Sequence, residues 1–103
     1  MGTVEFAFSL HHPAAEGHFP GNPIIPGAVL LSETLRAIES DLGVRLSPFK
    51  IKAAKFFSPT RPGDRVVIEF TGSVPGDIRF ACAVDGRKVL AGQLECSGAP
   101  TAP

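Results

Sequence analysis

The residues best suited to chemistry lie in one short segment, 16–27, which reads EGHFPGNPIIPG. His18 is a candidate general base, because an imidazole titrates near neutral pH. The segment ends in Pro-Gly and leads into a helical pattern, so the backbone N–H groups of Gly27 and Ala28 are expected at a helix start. Together with the helix dipole, they can stabilise an oxygen on which negative charge develops. The segment therefore offers a proton acceptor and an anion-stabilising backbone.

A strand and a helix are expected on either side of this segment. Residues 3–10 alternate in hydropathy and predict a half-buried strand whose apolar face carries Val4, Phe6, Phe8 and Leu10. Residues 28–43 predict a long helix that ends at Gly43. Its apolar positions recur every three or four residues: Ala28, Leu31, Leu35, Ile38 and Leu42. Val29 and Leu30 widen this face, so the first turns are expected to be buried nearly all round.

From residue 48 the period changes to two, which predicts four further strands. In the first of them, one face of the strand is expected to carry Phe49, Ile51 and Ala53, and the other face Lys50 and Lys52. Asp85-Gly86 predicts a tight hairpin, because type I′ turns need positive φ. Gly92 within the last strand suggests a bulge or a close contact with the helix. One helix and five strands are best packed as an antiparallel sheet around the helix, with a dimer covering the apolar helix start.

Composition limits the class of protein. The chain has 103 residues, enough for one domain, which is expected to span residues 1–96 with a disordered tail at 97–103. Ten basic and ten acidic residues cancel, which argues against a nucleic-acid binder. No apolar run reaches the length of a membrane span, and the N-terminus lacks the basic region of a secretory signal. With only two cysteines, Cys82 and Cys96, the sequence predicts a cytoplasmic domain without a disulfide scaffold.

The segment 16–27 closely resembles the active-site loop of the β-hydroxyacyl-acyl carrier protein dehydratases, which have the hot-dog fold. In that family the loop reads H-F-P-G-x-P-x-x-P-G, and all fixed positions are present: His18, Phe19, Pro20, Gly21, Pro23, Pro26 and Gly27. Further matches to the family's strand-turn segment follow at Ala54-Lys55-Phe56, Pro59 and Pro62-Gly63-Asp64. The chain begins near the point where the usual enzyme's extra N-terminal segment would end. In this it is similar to the shorter dehydratase-like proteins of aryl-polyene and related lipid or polyketide clusters.

The resemblance implies an α+β hot-dog fold, a homodimer or higher oligomer, and a site at the dimer interface. The implied substrate is a 3-hydroxyacyl thioester on acyl carrier protein or coenzyme A, in fatty-acid or polyketide-type lipid synthesis, without a cofactor. His18 would be the base, and the N–H groups of Gly27 and Ala28 would meet the thioester carbonyl. The same resemblance places Phe19, Pro20, Gly21 and Pro26 at the substrate.

One family position departs from the pattern. The family's acid, Glu or Asp, lies fourteen residues after the histidine, where this sequence has Ser32. Glu33 is adjacent, but one residue turns about 100° around a helix. Three interpretations stay open. First, a π-bulge or a one-residue slip could return Glu33 to the site. Second, Ser32 could orient a water or the substrate in a slow dehydratase or hydratase, or in an enzyme that acts on a different thioester. Third, the site could only bind acyl chains, or work with an active partner. The alternative for Glu33 is a structural role, in which its carboxylate forms a surface ion pair with Arg36.

Other residues carry weaker signals. Residues 45–65 hold six bases against one acid. Lysines that alternate along a half-exposed strand would account for part of this excess. The alternative is a basic surface on which an acidic carrier could dock, formed by Lys50, Lys52, Lys55, Arg61 and Arg65. His11 and His12 with His18 lack the spacing of a metal site. The cysteines are expected to pack as small apolar groups. The phenylalanines are expected mainly in the core, with some lining an acyl tunnel: Phe49, Phe56, Phe57, Phe70 and Phe80. A hot-dog acyl thioesterase and a non-catalytic acyl-thioester binder remain the alternatives to a dehydratase.

Overall fold

The computed structural model describes residues 2–11, 13 and 23–97. It contains the one helix and five strands that the sequence predicts. In chain order they are β1 (Gly2–Ala7), α1 (Gly27–Leu42), β2 (Phe49–Phe56), β3 (Arg65–Gly72), β4 (Gly76–Val84) and β5 (Arg87–Cys96). The predicted tail lies outside the described residues except for Ser97, whose N–H donates to the carbonyl of Pro48. Within the described ranges no helix is long and apolar enough to cross a membrane.

The five strands form one antiparallel sheet in the order β1-β3-β4-β5-β2. The chain makes β1, crosses one face of the sheet as α1, and returns at the opposite edge as β2. The last three strands, β3, β4 and β5, form the middle of the sheet and are joined to one another by short turns. Contacts place the helix against the sheet interior, because Thr34 Oγ1 lies 3.5 Å from Cys82 Sγ of β4. This is the α+β hot-dog arrangement that the sequence predicts.

Alternation along the central strands supplies most of the core. Every second residue of β3, from Val66 to Phe70, is buried, and β4 follows the same rule from Ile78 to Val84. The buried side of α1 contributes Leu30, Leu35 and Ile38 to the same cluster. The strand pattern in the sequence predicted this layer, because each of these strands has one face on the core and one on solvent.

The buried stripe of the helix differs from the predicted one. Leu35 and Ile38 are buried as expected, and so are Leu30 and Thr34, but Leu42 is 41% exposed and Ala28 is exposed. The stripe is therefore rotated. Ala28 faces the gap beside β2, and Leu31 is half-buried, lining that gap and also packing against the core. Leu10, expected on the inner face of the first strand, is 73% exposed because β1 ends at Ala7.

The turn signals are confirmed. Gly43 ends the helix in the left-handed conformation, with φ 71°, and its N–H donates to the carbonyl of Glu39 at 2.8 Å. Asp85 and Gly86 have φ of 50° and 77°, as a type I′ hairpin requires. Gly92 does mark a close approach, but the neighbour is not the helix: an added Cβ would lie 2.5 Å from the ring of Phe80.

The edge strand β2 departs most from expectation. A register shift between Ile51 and Ala53 places Ala53 opposite Gln93 and Ala54 opposite Gly92. Ala53 therefore shares the outer face with Lys50, which corrects the predicted alternation. All eight residues of β2 are exposed. Among the phenylalanines expected in the core, Phe70 and Phe80 are buried, whereas three on or beside this edge are 40–48% exposed: Phe49, Phe56 and Phe57.

Candidate active site

The start of α1 is held by backbone contacts to the loop after β2. Ile25 forms an isolated antiparallel bridge with Thr60, and its N–H donates to the Thr60 carbonyl at 2.7 Å. Pro26 is the N-cap residue with φ −57°, and its carbonyl accepts from the N–H groups of Val29 and Leu30. The N–H groups of Gly27 and Ala28 precede this first turn and have no acceptor within the helix. They lie where the sequence predicts an anion-stabilising backbone.

A groove runs beside this helix start, between α1 and β2. Its volume is about 400 Å³. It is lined by Ala28, Leu31, Ser32, Leu35, Arg36, Glu39, Ser47, Phe49 and Ile51. Its walls are mostly apolar. Three of its polar side chains, Ser32, Arg36 and Glu39, lie along one side of the helix, and Ser47 comes from the segment before β2. Ser32, the residue at the family's acid position, is exposed in this groove.

A second cavity of about 410 Å³ lies on the other side of the helix start. Its lining is mainly apolar: Ile24, Ile25, Gly27, Leu30, Phe56, Phe57, Ser58, Pro59 and Thr60. The hydroxyl of Thr60 is buried and has no hydrogen-bond partner among the described residues. The two spaces meet the helix at neighbouring residues, Gly27 and Ala28. An apolar chain and a polar head group could thus both be accommodated at one helix end.

The helix runs unbroken from Gly27 to Leu42 and contains no π-bulge that would turn Glu33 toward Ser32. Glu33 does not line the groove beside Ser32, and its Oε1 lies 3.9 Å from Nη1 of Arg36. This is the surface pair that the spacing allows. Glu39 does line the groove, but seven residues of helix, roughly 10 Å, separate it from Ser32. Its Oε2 already accepts from the N–H of Leu46 at 2.8 Å.

Half of the predicted loop lies outside the described residues. This holds for His18, Phe19, Pro20 and Gly21, and also for His12 and Glu16. The described part of the predicted site comprises the helix start from Pro26 to Ala28, with Ser32 in the adjoining groove. The roles assigned to all these residues stay predictions.

The predicted basic surface does not form one patch. Lys50, Lys52 and Lys55 lie on β2. Arg65 starts β3, which is three strand positions from β2 in the sheet, or roughly 14 Å. Nη1 of Arg65 is also paired with Glu5 Oε1 at 2.9 Å. Arg61 lies in the intervening turn, where its N–H donates to Asp64 Oδ2.

A different basic cluster surrounds Phe57. The Nζ atoms of Lys55 and Lys88 lie 5.3 and 5.2 Å from its ring centroid. Arg87 joins from the same strand end, because its Nη1 donates to Ser58 Oγ at 2.7 Å and to the Pro59 carbonyl at 2.8 Å. Neither Arg87 nor Lys88 was predicted from the sequence. The available signal was the Asp85-Gly86 hairpin, which returns β5 to the middle of the sheet beside β2.

The cysteines are confirmed as core residues. Cys82 and Cys96 are free and buried, with exposed fractions of 1% and 4%. Burial raises the pKa of the Cys82 thiol to about 11, against a smaller opposing effect of its contact with Thr34. Burial also raises the pKa of Cys96, whose Sγ lies 3.3 Å from the carbonyl oxygen of Gly76. A thiol that stays protonated is a poor nucleophile.

Comparisons with known proteins agree with the sequence resemblance. The family model for ApeI-like proteins, described as ApeI dehydratase, matches residues 2–93. The 3-hydroxyacyl-(acyl-carrier-protein) dehydratase FabZ of Pasteurella multocida is 32% identical over 107 residues, covering 89% of this chain and 68% of that relative. FabZ of Chlamydia trachomatis serovar D is 35% identical over 95 residues, covering 81% of this chain and 62% of the relative. The chain thus spans about two thirds of their length.

Solved structures support the fold. The dehydratase heterocomplex ApeI:P of Xenorhabdus doucetiae matches with a TM-score of 0.72 at 19% identity, covering 91% of this chain and 85% of that one. The 1,4-dihydroxy-2-naphthoyl-CoA thioesterase of Synechocystis matches with a TM-score of 0.64 at 17% identity, covering 98% and 85%. At these identities the likeness concerns the fold. Because the family model spans most of the chain and a relative with 32% identity covers 89% of it, the chain belongs to the ApeI-like dehydratase family, as a dehydratase-like member with the hot-dog fold.

Proposed function

We propose that the chain takes part in the elimination of water from a 3-hydroxyacyl thioester, and in the reverse hydration of the 2-enoyl thioester. The observation that carries the proposal is the helix start, where Ala28 lines the groove and the adjacent Gly27 lines the apolar cavity. A thioester carbonyl bound to the N–H groups of these two residues would be stabilised as its α-carbon loses a proton. The acyl chain would enter the apolar cavity.

In this reaction His18 removes the α-proton, and the electron pair of that C–H bond forms the new carbon–carbon double bond. The bond from the β-carbon to the hydroxyl oxygen breaks. The departing oxygen takes up a proton and leaves as water. That last proton needs a donor, and Ser32 is a poor acid at the family's acid position. A group other than a carboxylate of this helix turn must therefore protonate the leaving group, either a water held by Ser32 or a residue of a second subunit.

A two-subunit site follows from the same resemblance. His18 of one subunit would act with the helix position of the other, across the exposed edge at β2. Relatives in the dehydratase family act on acyl-carrier-protein substrates by name, and one fold neighbour is a dehydratase heterocomplex. We extend both features to this chain: an acyl thioester on a carrier or on coenzyme A as substrate, and a second hot-dog subunit that completes the site.

The carrier would bind the basic cluster around Phe57. Lys55, Lys88 and Arg87 surround an apolar ring that is 45% exposed, next to the mouth of the apolar cavity. Carrier proteins are generally acidic, so cationic side chains here would steer the carrier and its thioester arm toward the helix start. Of the five residues predicted for carrier binding, Lys55 is the one that belongs to this cluster. A weaker, long-range electrostatic attraction would come from the other four: Lys50, Lys52, Arg61 and Arg65.

The test is to incubate the protein with trans-2-enoyl thioesters on acyl carrier protein and on coenzyme A. Loss of the conjugated-enoyl absorbance measures hydration, and free thiol is followed in parallel. Hydration is expected, with a His18→Ala loss of about 10²-fold or more. Free thiol without hydration would assign the chain to acyl-thioester hydrolysis. No turnover by the folded chain, alone or with a second subunit, would leave acyl-thioester binding as its role.

A further inference from the structure

The hydroxyl group of Thr60 is buried without a partner. Thr60 is 1% exposed, and its Oγ1 is the one buried side-chain nitrogen or oxygen, in the part of the chain that the structure describes, with no hydrogen bond. Most buried hydroxyls form at least one hydrogen bond, because burial removes the bonds that water would supply. Leaving such a group unpaired costs free energy. The Thr60 hydroxyl therefore points to a hydrogen-bond acceptor that does not belong to the described residues.

Thr34 shows how the same type of side chain is accommodated elsewhere in this fold. It is the other buried polar residue among those described, with an exposed fraction of 0%. Its Oγ1 donates to the carbonyl oxygen of Leu30 at 2.8 Å and lies 3.5 Å from Cys82 Sγ. Burial alone therefore does not leave a threonine hydroxyl unpaired, and the cause at Thr60 must lie in its position.

That position is the wall of the apolar cavity beside the helix start. The carbonyl of Thr60 accepts from the N–H of Ile25 at 2.7 Å, and Ile25 lies two residues before Gly27. Thr60 and Gly27 both line the cavity, whose volume is about 410 Å³. An acyl chain that enters this cavity from the helix start would therefore pass beside Thr60.

Thr60 also has the only unpaired polar side chain among the described residues of the cavity wall. The other polar side chain there is Ser58, whose Oγ donates to the Lys88 carbonyl at 2.8 Å and accepts from Nη1 of Arg87 at 2.7 Å. The remaining lining residues are apolar. Because a threonine side chain has several staggered χ1 positions, its hydroxyl can turn toward an occupant of the cavity without a change in the backbone.

We infer that Thr60 selects acyl chains that carry an oxygen atom in the part enclosed by this cavity. The Thr60 hydroxyl donates to that oxygen, which belongs to an ether, a ketone or a further hydroxyl group of the chain. A plain alkyl chain fills the same space but leaves the hydroxyl unpaired, and sites built around a polar group discriminate against such ligands. The inference rests on the proposed function in one respect, namely that the acyl chain occupies this cavity.

The test measures binding without turnover. The probes are analogues of 3-hydroxyacyl pantetheine thioesters in which an amide replaces the thioester. All have the same chain length, and the chain is either plain alkyl or has an ether oxygen in place of one methylene group, at successive positions. Calorimetry gives the dissociation constants for the unmodified protein and for Thr60→Val, which keeps the shape of the side chain without its hydroxyl. At the matching position, the ratio of the plain to the ether dissociation constant should be about tenfold higher in the unmodified protein than in Thr60→Val.

Thr34→Val is the matched control, because it removes a buried hydroxyl that does not line the cavity, and it should leave these ratios as they are in the unmodified protein. Urea unfolding without ligand gives a second readout. Thr60→Val should unfold at the same or a higher urea concentration than the unmodified protein, because no hydrogen bond is lost. A lower unfolding midpoint for Thr60→Val would mean that the hydroxyl has a partner within the protein, and would overturn the inference. So would an equal change in the binding of the plain and all ether probes.

These outcomes separate the inference from the proposed reaction. Selective binding of one ether probe without hydration of enoyl thioesters would reject the reaction and retain the role of Thr60. Hydration without a preference for any chain oxygen would retain the reaction and reject that role. If no probe binds to the folded protein, the cavity does not hold the acyl chain, and the inference is overturned as well.

Discussion

The ring of Phe56 occupies the space that a side chain at Gly27 would need. A Cβ added to Gly27 would lie 2.9 Å from Cε1 and 3.1 Å from Cζ of that ring. The first residue of the helix therefore touches the last residue of the edge strand, and only glycine allows this approach. The contact fixes the helix start relative to the apolar cavity, which both residues line.

Gly27→Ala is accordingly expected to destabilise the protein. The added methyl group must displace the end of an aromatic ring that is 48% exposed, so the cost is expected at the low end of the range for overpacking, about 1 kcal/mol. Denaturant unfolding of the single variant measures the loss. Gly27→Ala combined with Phe56→Leu should recover part of it, because the smaller side chain gives the methyl group room. Equal losses with and without Phe56→Leu would show that the ring is not the cause.

The elements could be predicted because their signals are local. The αL residue at Gly43, the positive φ values at Asp85 and Gly86, and the alternation of β3 each follow from a few neighbouring residues. Each signal depends on backbone sterics or on a single buried face. The helix start at Gly27 was located by the same kind of signal, Pro followed by Gly.

What could not be predicted depends on neighbours distant in sequence. The bulge that turns Ala53 outward becomes visible only once β2 is paired with β5. The exposure of Phe57 results from its position directly after the edge strand β2, and the sequence alone does not show that β2 lies at the edge of the sheet. Arg87 and Lys88 join Lys55 because the hairpin returns β5 beside β2. A charge count along the chain favoured Arg65 instead, which the sheet order places far from this cluster.

Ser32→Glu should create or raise dehydratase activity in the isolated chain. Ser32 is exposed in the groove beside the helix start, so a longer side chain fits there without entering the core. A carboxyl group at this position can donate the proton that the leaving hydroxyl needs, which is worth about 10²-fold or more. Turnover of 3-hydroxyacyl thioesters measures the gain. Ser40→Glu, the same change on an exposed helix position, should leave turnover unaltered. Loss of existing activity in Ser32→Glu would mean that the serine itself contributes.

Lys88→Glu should weaken the use of carrier-bound substrates. Its Nζ lies 5.2 Å from the ring centroid of Phe57, so the change places a negative charge at the centre of the basic cluster. The KM for an acyl-carrier-protein thioester is expected to rise about tenfold, because steering by charge is lost. The same acyl group on coenzyme A serves as the comparison, and its KM should change less. Arg79→Glu, on the outer face of β4, is the matched charge control. Equal effects of the two variants would remove the cluster as the docking surface.

The buried thiol of Cys82 should make the protein less stable in alkali. Its pKa is raised from the usual 9.0 to about 11 in the folded protein, so the unfolded chain loses this proton first as the pH increases. The stabilising contribution is complete below pH 9.0 and is lost between pH 9.0 and about 11, to a total of up to about 3 kcal/mol. Urea unfolding across this range should show a steeper fall for the unmodified protein than for Cys82→Ala. The comparison cancels the titration of lysines and of Cys96, which both chains share. Parallel curves would show that the thiol titrates alike in the folded and unfolded states.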